Sequence, residues 1–319
     1  MTKIYCAHEQ SLFFRWPMGS NTCQRMPRSI SRPLVGSGFE IRFGTRFFLP
    51  KFRNSNMKLQ FQFLICVILA ISPQAAHSEV STTVAESLIT KIISSFSAEI
   101  ESTHHLPLDV QYRWSIDMFD ALGGRLENTV QFTFYGGLLT GEMDEDTLKV
   151  VVCHELGHVL GGYPEVPDYP YPKNSVEGQA DYFATAKCLK RVFANDDNQA
   201  LMQRVELPRS ITTPCGQVYH DSERDIALCQ RSLWAAVRAF QFMYRDPGLS
   251  FDVPDATVAH ETSTSYPAPQ CRLDSLKAGA LCPISDLIGF SFSDPSAGAC
   301  RAQVAEEALG ARPRCWFKE

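Results

Sequence analysis

His154-Glu155-Leu156-Gly157-His158 reads as HExxH, and it follows directly on the largely apolar run Leu148-Lys149-Val150-Val151-Val152-Cys153. On a helix, positions i and i+4 share a face, so His154 and His158 present two imidazole nitrogens to one point. Glu155 lies one residue round from the first histidine, where a carboxylate reaches a water on a metal held by the pair. Two neutral imidazoles suit Zn²⁺, which takes a third protein ligand and keeps a fourth position for water.

Eighteen residues separate His158 from Glu177, which opens the segment Glu177-Gly178-Gln179-Ala180-Asp181-Tyr182-Phe183-Ala184, of the form ExxAD, with Ser175 or Asn174 as the expected N-cap of a second helix. Glu177 and Asp181 are again four apart and point the same way. Glu177 completes a His-His-Glu set for one Zn²⁺ per chain. Asp181, one turn on, can accept the spare N–H of a ligand histidine and fix its tautomer. Taken alone, either carboxylate is an ordinary charged helix face; the pairing with HExxH gives them their meaning.

These motifs resemble those of the HtpX and CAAX-prenyl-endopeptidase type of zinc metallopeptidases, gluzincins that include soluble exported bacterial members. Phe134-Tyr135-Gly136-Gly137-Leu138-Leu139 followed by Asp144-Glu145-Asp146-Thr147-Leu148 looks like that family's lead-in to HExxH. Thr264-Ser265-Tyr266-Pro267, then Arg272 and Leu273, looks like its downstream segment, with Tyr266 where the family usually has histidine. The likeness spans roughly residues 110–285. It implies a zincin-like fold, a peptide-bond hydrolase and a place for Tyr266 beside the reacting carbonyl.

The front of the chain reads differently. Residues 1–56 carry nine Lys/Arg against two acidic residues and no sustained helical or strand period. Met57 begins a lysine, a short apolar core, then Pro73 and Ala75-Ala76-His77-Ser78, a secretory signal peptide over 57–78 cleaved before Glu79. A start at Met57 makes residues 1–56 a misassigned extension; the other reading is a real basic extension ahead of a membrane anchor. The apolar core is too short for a spanning helix, so the mature chain is expected to have no stable membrane span and to be periplasmic or secreted. Removing 1–78 leaves 20 basic and 33 acidic residues, a net charge near −13, which disfavours nucleic acid and anionic membrane surfaces as partners.

Residues 79–319 are long enough for one metallopeptidase domain with a disulfide-rich C-terminal part. They hold eight of the eleven cysteines, an even number that suits disulfides in an exported chain. Sequence-neighbour pairing is the natural expectation for Cys215, Cys229, Cys271, Cys282, Cys300 and Cys315. Cys153 and Cys188, on the two metal-bearing helices, either bridge them or stay as buried thiols. No two cysteines form a CxxC clip for zinc.

Periodicity places a helix over residues 82–102, with Val84, Leu88, Ile92, Phe96 and Ile100 inward. It places strands over 106–114 and 129–135, the metal helix over 144–159, and helices over 225–244, 272–281 and 299–309. The proline-rich stretch 163–172 reads as a cleft-side loop. The expected architecture is α+β, mainly α, with a small β-sheet beside the HExxH helix. Strand 129–135 is expected to offer an edge along which a substrate peptide adds by main-chain hydrogen bonds.

The expected function is a zinc-dependent endopeptidase acting on exported polypeptides, unfolded or misassembled envelope proteins among them, with Glu155 as the base and Tyr266 or His260 as the donor to the oxyanion. The alternative is a periplasmic chaperone or assembly factor with a zinc-stabilised peptide-binding cleft and little turnover. Zinc hydrolysis of a non-peptide bond uses the same residues.

Overall fold

The computed structural model describes residues 80–141, 143–168 and 171–319; the expected extension 1–56 and leader 57–78 lie outside the described residues. The chain runs through helices α1 (Thr82–Ser94) and α2 (Ser97–His104), then strands β1 (Leu108–Arg113), β2 (Ala121–Arg125) and β3 (Val130–Tyr135). A short 3₁₀ turn leads to α3 (Glu145–Leu160), the HExxH helix. A small hairpin follows, β4 (Glu165–Asp168) and β5 (Tyr171–Ser175), then α4 (Glu177–Phe183), a π turn Ala184–Cys188 and α5 (Leu189–Phe193) as one continuous rod. Helices α6 (Asn198–Met202), α7 (Arg209–Val218), α8 (Glu223–Tyr244) and α9 (Pro269–Ala280) complete an α+β fold that is mainly helical with a small sheet. Among the described residues no helix is long and apolar enough to cross a membrane.

Helix α3 is the centre of the core. Asp144 caps its start by accepting from the Thr147 amide at 2.8 Å, and Glu145 and Asp146 place negative charge in the first turn, where the helix dipole favours it. Gly161 ends it, its N–H bonding the Gly157 carbonyl. Every residue from Thr147 to Leu160 is buried, so this helix is covered on all sides, by α1, β2, α4 and α8. At the crossing with α4, a Cβ on Gly157 would lie 2.5 Å from the Ala180 carbonyl oxygen. The glycine inside the motif therefore lets the HExxH and ExxAD helices touch backbone to backbone, which brings Glu177 to the histidines.

The sheet has the order β1-β3-β2, with β1 parallel and β2 antiparallel to β3. This corrects the expected peptide edge: the strand at 129–135 is central, and β2 is the edge strand beside α3. Strand β2 was not expected at all, because Ala121-Leu122-Gly123-Gly124-Arg125 lacks the β-branched alternation that marks strands. Its glycine has a steric cause. A Cβ at Gly123 would sit 2.5 Å from the Glu155 carbonyl oxygen, so the strand lies flush on the Glu155 turn of α3 only with glycine there.

Other expectations need adjustment. The helix at 82–102 breaks at Ser95, whose hydroxyl bonds the Ile92 carbonyl, and its buried stripe is Ala85, Ile89, Ile92, Ile93, Phe96 and Ile100. Val84 is exposed. The stretch 163–172 forms the two-stranded hairpin β4–β5 with a register irregularity between Val166 and Asp168, where prolines are tolerated outside a main sheet. Residues 299–309 are mostly turns, with a 3₁₀ turn only at Ala308–Gly310; the Glu307 carboxylate binds the Arg301 amide and the Glu319 carboxylate binds that of Ala302, which ties the segment to the C-terminus.

Among the described residues four disulfides form: Cys153–Cys188, Cys215–Cys229, Cys271–Cys315 and Cys282–Cys300. The first bridges α3 to the π turn, and the second is the expected neighbour pair. The last two are nested, not sequential. Cys271 lies in α9 and Cys282 just past its end, about 16 Å apart at 1.5 Å rise per residue, well beyond the roughly 7 Å Cα separation a disulfide spans. Each closed loop, of 14 to 44 residues, contributes roughly 3–4 kcal/mol in the chain-entropy account. Non-reducing peptide mapping should recover these four linked pairs; a fragment joining Cys271 to Cys282 would contradict the fold around α9.

Candidate metal centre

His154, His158 and Glu177 converge so that one ligand atom from each lies within 4.8 Å of the others. The two Nε2 atoms are 3.1 Å apart, and the Glu177 oxygens lie 3.3 Å from His154 Nε2 and 3.6 Å from His158 Nε2. Both histidines are buried, while Glu177 keeps 18% of its side chain exposed and opens the centre to one side.

The other ring nitrogen of each histidine is anchored. His158 Nδ1 lies 2.8 Å from the Ser175 carbonyl oxygen, and His154 Nδ1 lies 2.8 Å from Asp181 Oδ1. Both contacts favour N–H at Nδ1, which leaves an Nε2 lone pair on each ring facing the other and the Glu177 carboxylate. Two imidazole nitrogens and a carboxylate thus converge on one point. The donor set, two imidazole nitrogens and a carboxylate, therefore fits a metal ion. A second cluster, Asp255 with Cys271 and Cys315, does not, because those cysteines are bonded to each other.

The expected N-caps of α4 do different work. Val176 holds the cap position without a side-chain bond, the Ser175 hydroxyl bonds the Gly162 carbonyl, and the Asn174 amide reaches the Gly123 carbonyl of β2. Ser175 thus contributes its carbonyl to His158 and its hydroxyl to the end of α3.

Arg272, buried in α9, is the residue for which sequence reading found no role. Its Nε and Nη2 donate to Asp181 Oδ2 and Oδ1 at 2.7 and 2.9 Å, a bidentate pair. Nη2 also lies 2.9 Å from Glu177 Oε2 and 3.3 Å from His154 Nε2, and Nη1 donates to the hydroxyls of Tyr266 and, at 3.2 Å, Tyr244. One guanidinium thus fixes Asp181, which in turn fixes His154. Tyr266 is joined to the centre through this arginine, with its own hydroxyl 3.4 Å from that of Tyr244. His260 is exposed on a surface segment, and none of the described contacts joins it to the centre.

The electrostatics follow from burial and these pairs. Burial opposes charge on His154, but Asp181, through charge and hydrogen bond, raises it to about 9. Burial depresses His158 to about 4, against the pull of Glu177. Burial also acts to raise Glu177, and the Arg272 charge overrides it and holds the carboxyl well below its usual range. Glu155 is raised well above the usual carboxylate range by burial, with Glu177 and Asp120 adding to it. Its Oε1 is fully buried and has no hydrogen-bond partner.

Compared with models of known protein families, with curated proteins and with solved structures, the chain matches none.

Proposed function

We propose that this protein is a zinc-dependent endopeptidase with a zincin-like fold, exported to an oxidising compartment, whose substrates are unfolded or extended polypeptides. The observation that carries the reading is Glu155: a buried carboxylate, unpartnered at Oε1, one residue from a ligand histidine. Buried polar atoms are normally satisfied, and one left open beside a ligand cluster suits a base awaiting water and substrate. Four disulfides support the compartment, since glutathione keeps cytosolic thiols reduced.

His154, His158 and Glu177 would hold the ion. When bound, zinc supplies Lewis acidity, polarising a carbonyl and lowering the pKa of water from about 15.7 to about 7. Glu155 takes the proton of the attacking water and passes it to the leaving amine. Because Arg272 donates to the Tyr266 oxygen, the Tyr266 O–H is left to donate, and the oxyanion is the acceptor we assign it. A chaperone that only holds its client would have no use for a buried, unpartnered base, which is why hydrolysis is preferred over binding alone.

The ligand set is checked by metal analysis. Wild-type protein should hold one zinc per chain, and Glu177→Ala should lose most of it, because two histidines make a weak site. Asp181→Ala should weaken zinc by about 10–100-fold, as losing the partner of a ligand histidine does. Full occupancy in Glu177→Ala would remove that residue from the centre.

A further inference from the structure

Glu177 lies at the first position of α4, where no side chain caps the helix start, so other contacts must fix that turn. The residues on either side of it supply them. Val176 packs in a small cluster with Cys271, Trp316 and Phe317, and Gly178 lies against the same indole. A Cβ on Gly178 would sit 2.5 Å from Trp316 Cδ2 and Cε2, closer than such atoms approach. The next residue, Gln179, accepts from Arg312 Nη1 at 3.1 Å and donates to the Gly161 carbonyl at 2.7 Å. The opening turn of α4 is thus lodged on the C-terminal segment of the chain.

That segment grips α9 as well. Cys315 is bonded to Cys271, the neighbour of Arg272, and Trp316 Nε1 donates to Ser275 Oγ at 2.8 Å. Trp316 is fully buried, so its indole is a wedge of fixed thickness between the helix that carries Glu177 and the helix that carries Arg272. The Trp316 carbonyl accepts from the Ser263 amide at 2.7 Å, and the Arg314 carbonyl from that of Ala259 at 2.8 Å, which holds down the stretch leading to Tyr266. Glu177, Arg272 and Tyr266 come from three distant stretches of chain. Each stretch is tied to this one tryptophan.

We infer that Trp316 is a positioning residue of the metal centre: it sets where the start of α4 stands, and through that the reach of Glu177 to His154 and His158. The segment 312–317 then belongs to the centre without touching the ion, and residue 178 is glycine to admit the indole. Resting as it does on zinc being held there, this role is read out by ion affinity and ion geometry, not by peptide cleavage.

Gly178→Ala is the smallest change that tests it. Alanine is the better helix former, so propensity favours the variant and the clash with Trp316 acts against it. Zinc should bind about 10–100-fold more weakly, as it does when a ligand loses its support. Cobalt(II) in place of zinc should show altered visible absorption bands, which report the arrangement of its ligands. Adding Trp316→Leu makes room for the methyl group and should restore most of the affinity, because the two changes share one contact and cannot add. Melting in a chelator separates a poorly loaded centre from a poorly folded chain. Should Gly178→Ala fold poorly, Trp316→Phe keeps the core filled while thinning the wedge, and weaker zinc binding with altered cobalt bands is expected there too. Wild-type zinc affinity and an unchanged cobalt spectrum in the folded variant would make Trp316 ordinary core and overturn the inference, as would a double variant no better than Gly178→Ala alone. Wild-type protein that binds neither ion rejects the metal centre and this role together. Metal binding that follows these expectations without peptide cleavage leaves the role of Trp316 standing and rejects the peptidase reading.

Discussion

Glu155→Gln should hold zinc and melt close to wild type, yet cleave an unfolded polypeptide at least about 10²–10⁴-fold more slowly. The substitution keeps the size of the side chain and leaves His154, His158 and Glu177 untouched. It also removes a buried carboxyl that burial already holds well above its usual pKa, so losing its charge costs the fold little. What it removes is the capacity to accept a proton. Cleavage at the wild-type rate by Glu155→Gln would assign the activity to a contaminant or another site, and the binding-factor reading would become the better one. Tyr266→Phe should cost less, on the order of 10²-fold, as losing one oxyanion donor does.

The second large effect is on stability. Arg272→Met should lower the unfolding free energy of the metal-free protein by about 3–5 kcal/mol, the usual result of removing one partner from a buried ion pair. Arg272 and Asp181 are each about 1% exposed, so the orphaned carboxylate has no water to turn to. Measuring in the presence of a chelator keeps metal linkage out of the comparison. Arg272→Met combined with Asp181→Asn should recover part of the loss, because the two sites share one bidentate contact and their effects cannot add. A loss under about 1 kcal/mol in the single variant would mean that the guanidinium is not needed to hold Asp181 in place.

The clustering of His154, His158 and Glu177 was legible in the sequence because helical spacing is local: HExxH and ExxAD each fix their geometry within five residues. Joining the two segments needed only the assumption that both helices face one cleft. Arg272 was present in the sequence but carried no role, since it acts across 91 residues on Asp181 and 118 on His154. Strand β2 was hidden because its glycines disguise it. The rule that demotes glycine in strands failed at Gly123 because the position answers to the Glu155 backbone, not to strand propensity. The nested disulfides were within reach. A helix expected over 272–281 already keeps Cys282 too far from Cys271 to bond it.

The bridge between Cys153 and Cys188 stands one residue from His154 and clamps α3 to the rod that carries Glu177 and Asp181. Small zinc-nucleated domains are disordered until the ion arrives, and a chelator unfolds them. Here a covalent tie and a buried arginine hold the ligand side chains in place beforehand. Thiol oxidation, and not metal supply, then becomes the step that commits the newly made chain to its shape. If the centre takes zinc as proposed, a cell short of it would accumulate an intact, metal-free form of the protein, ready to be loaded when the ion returns.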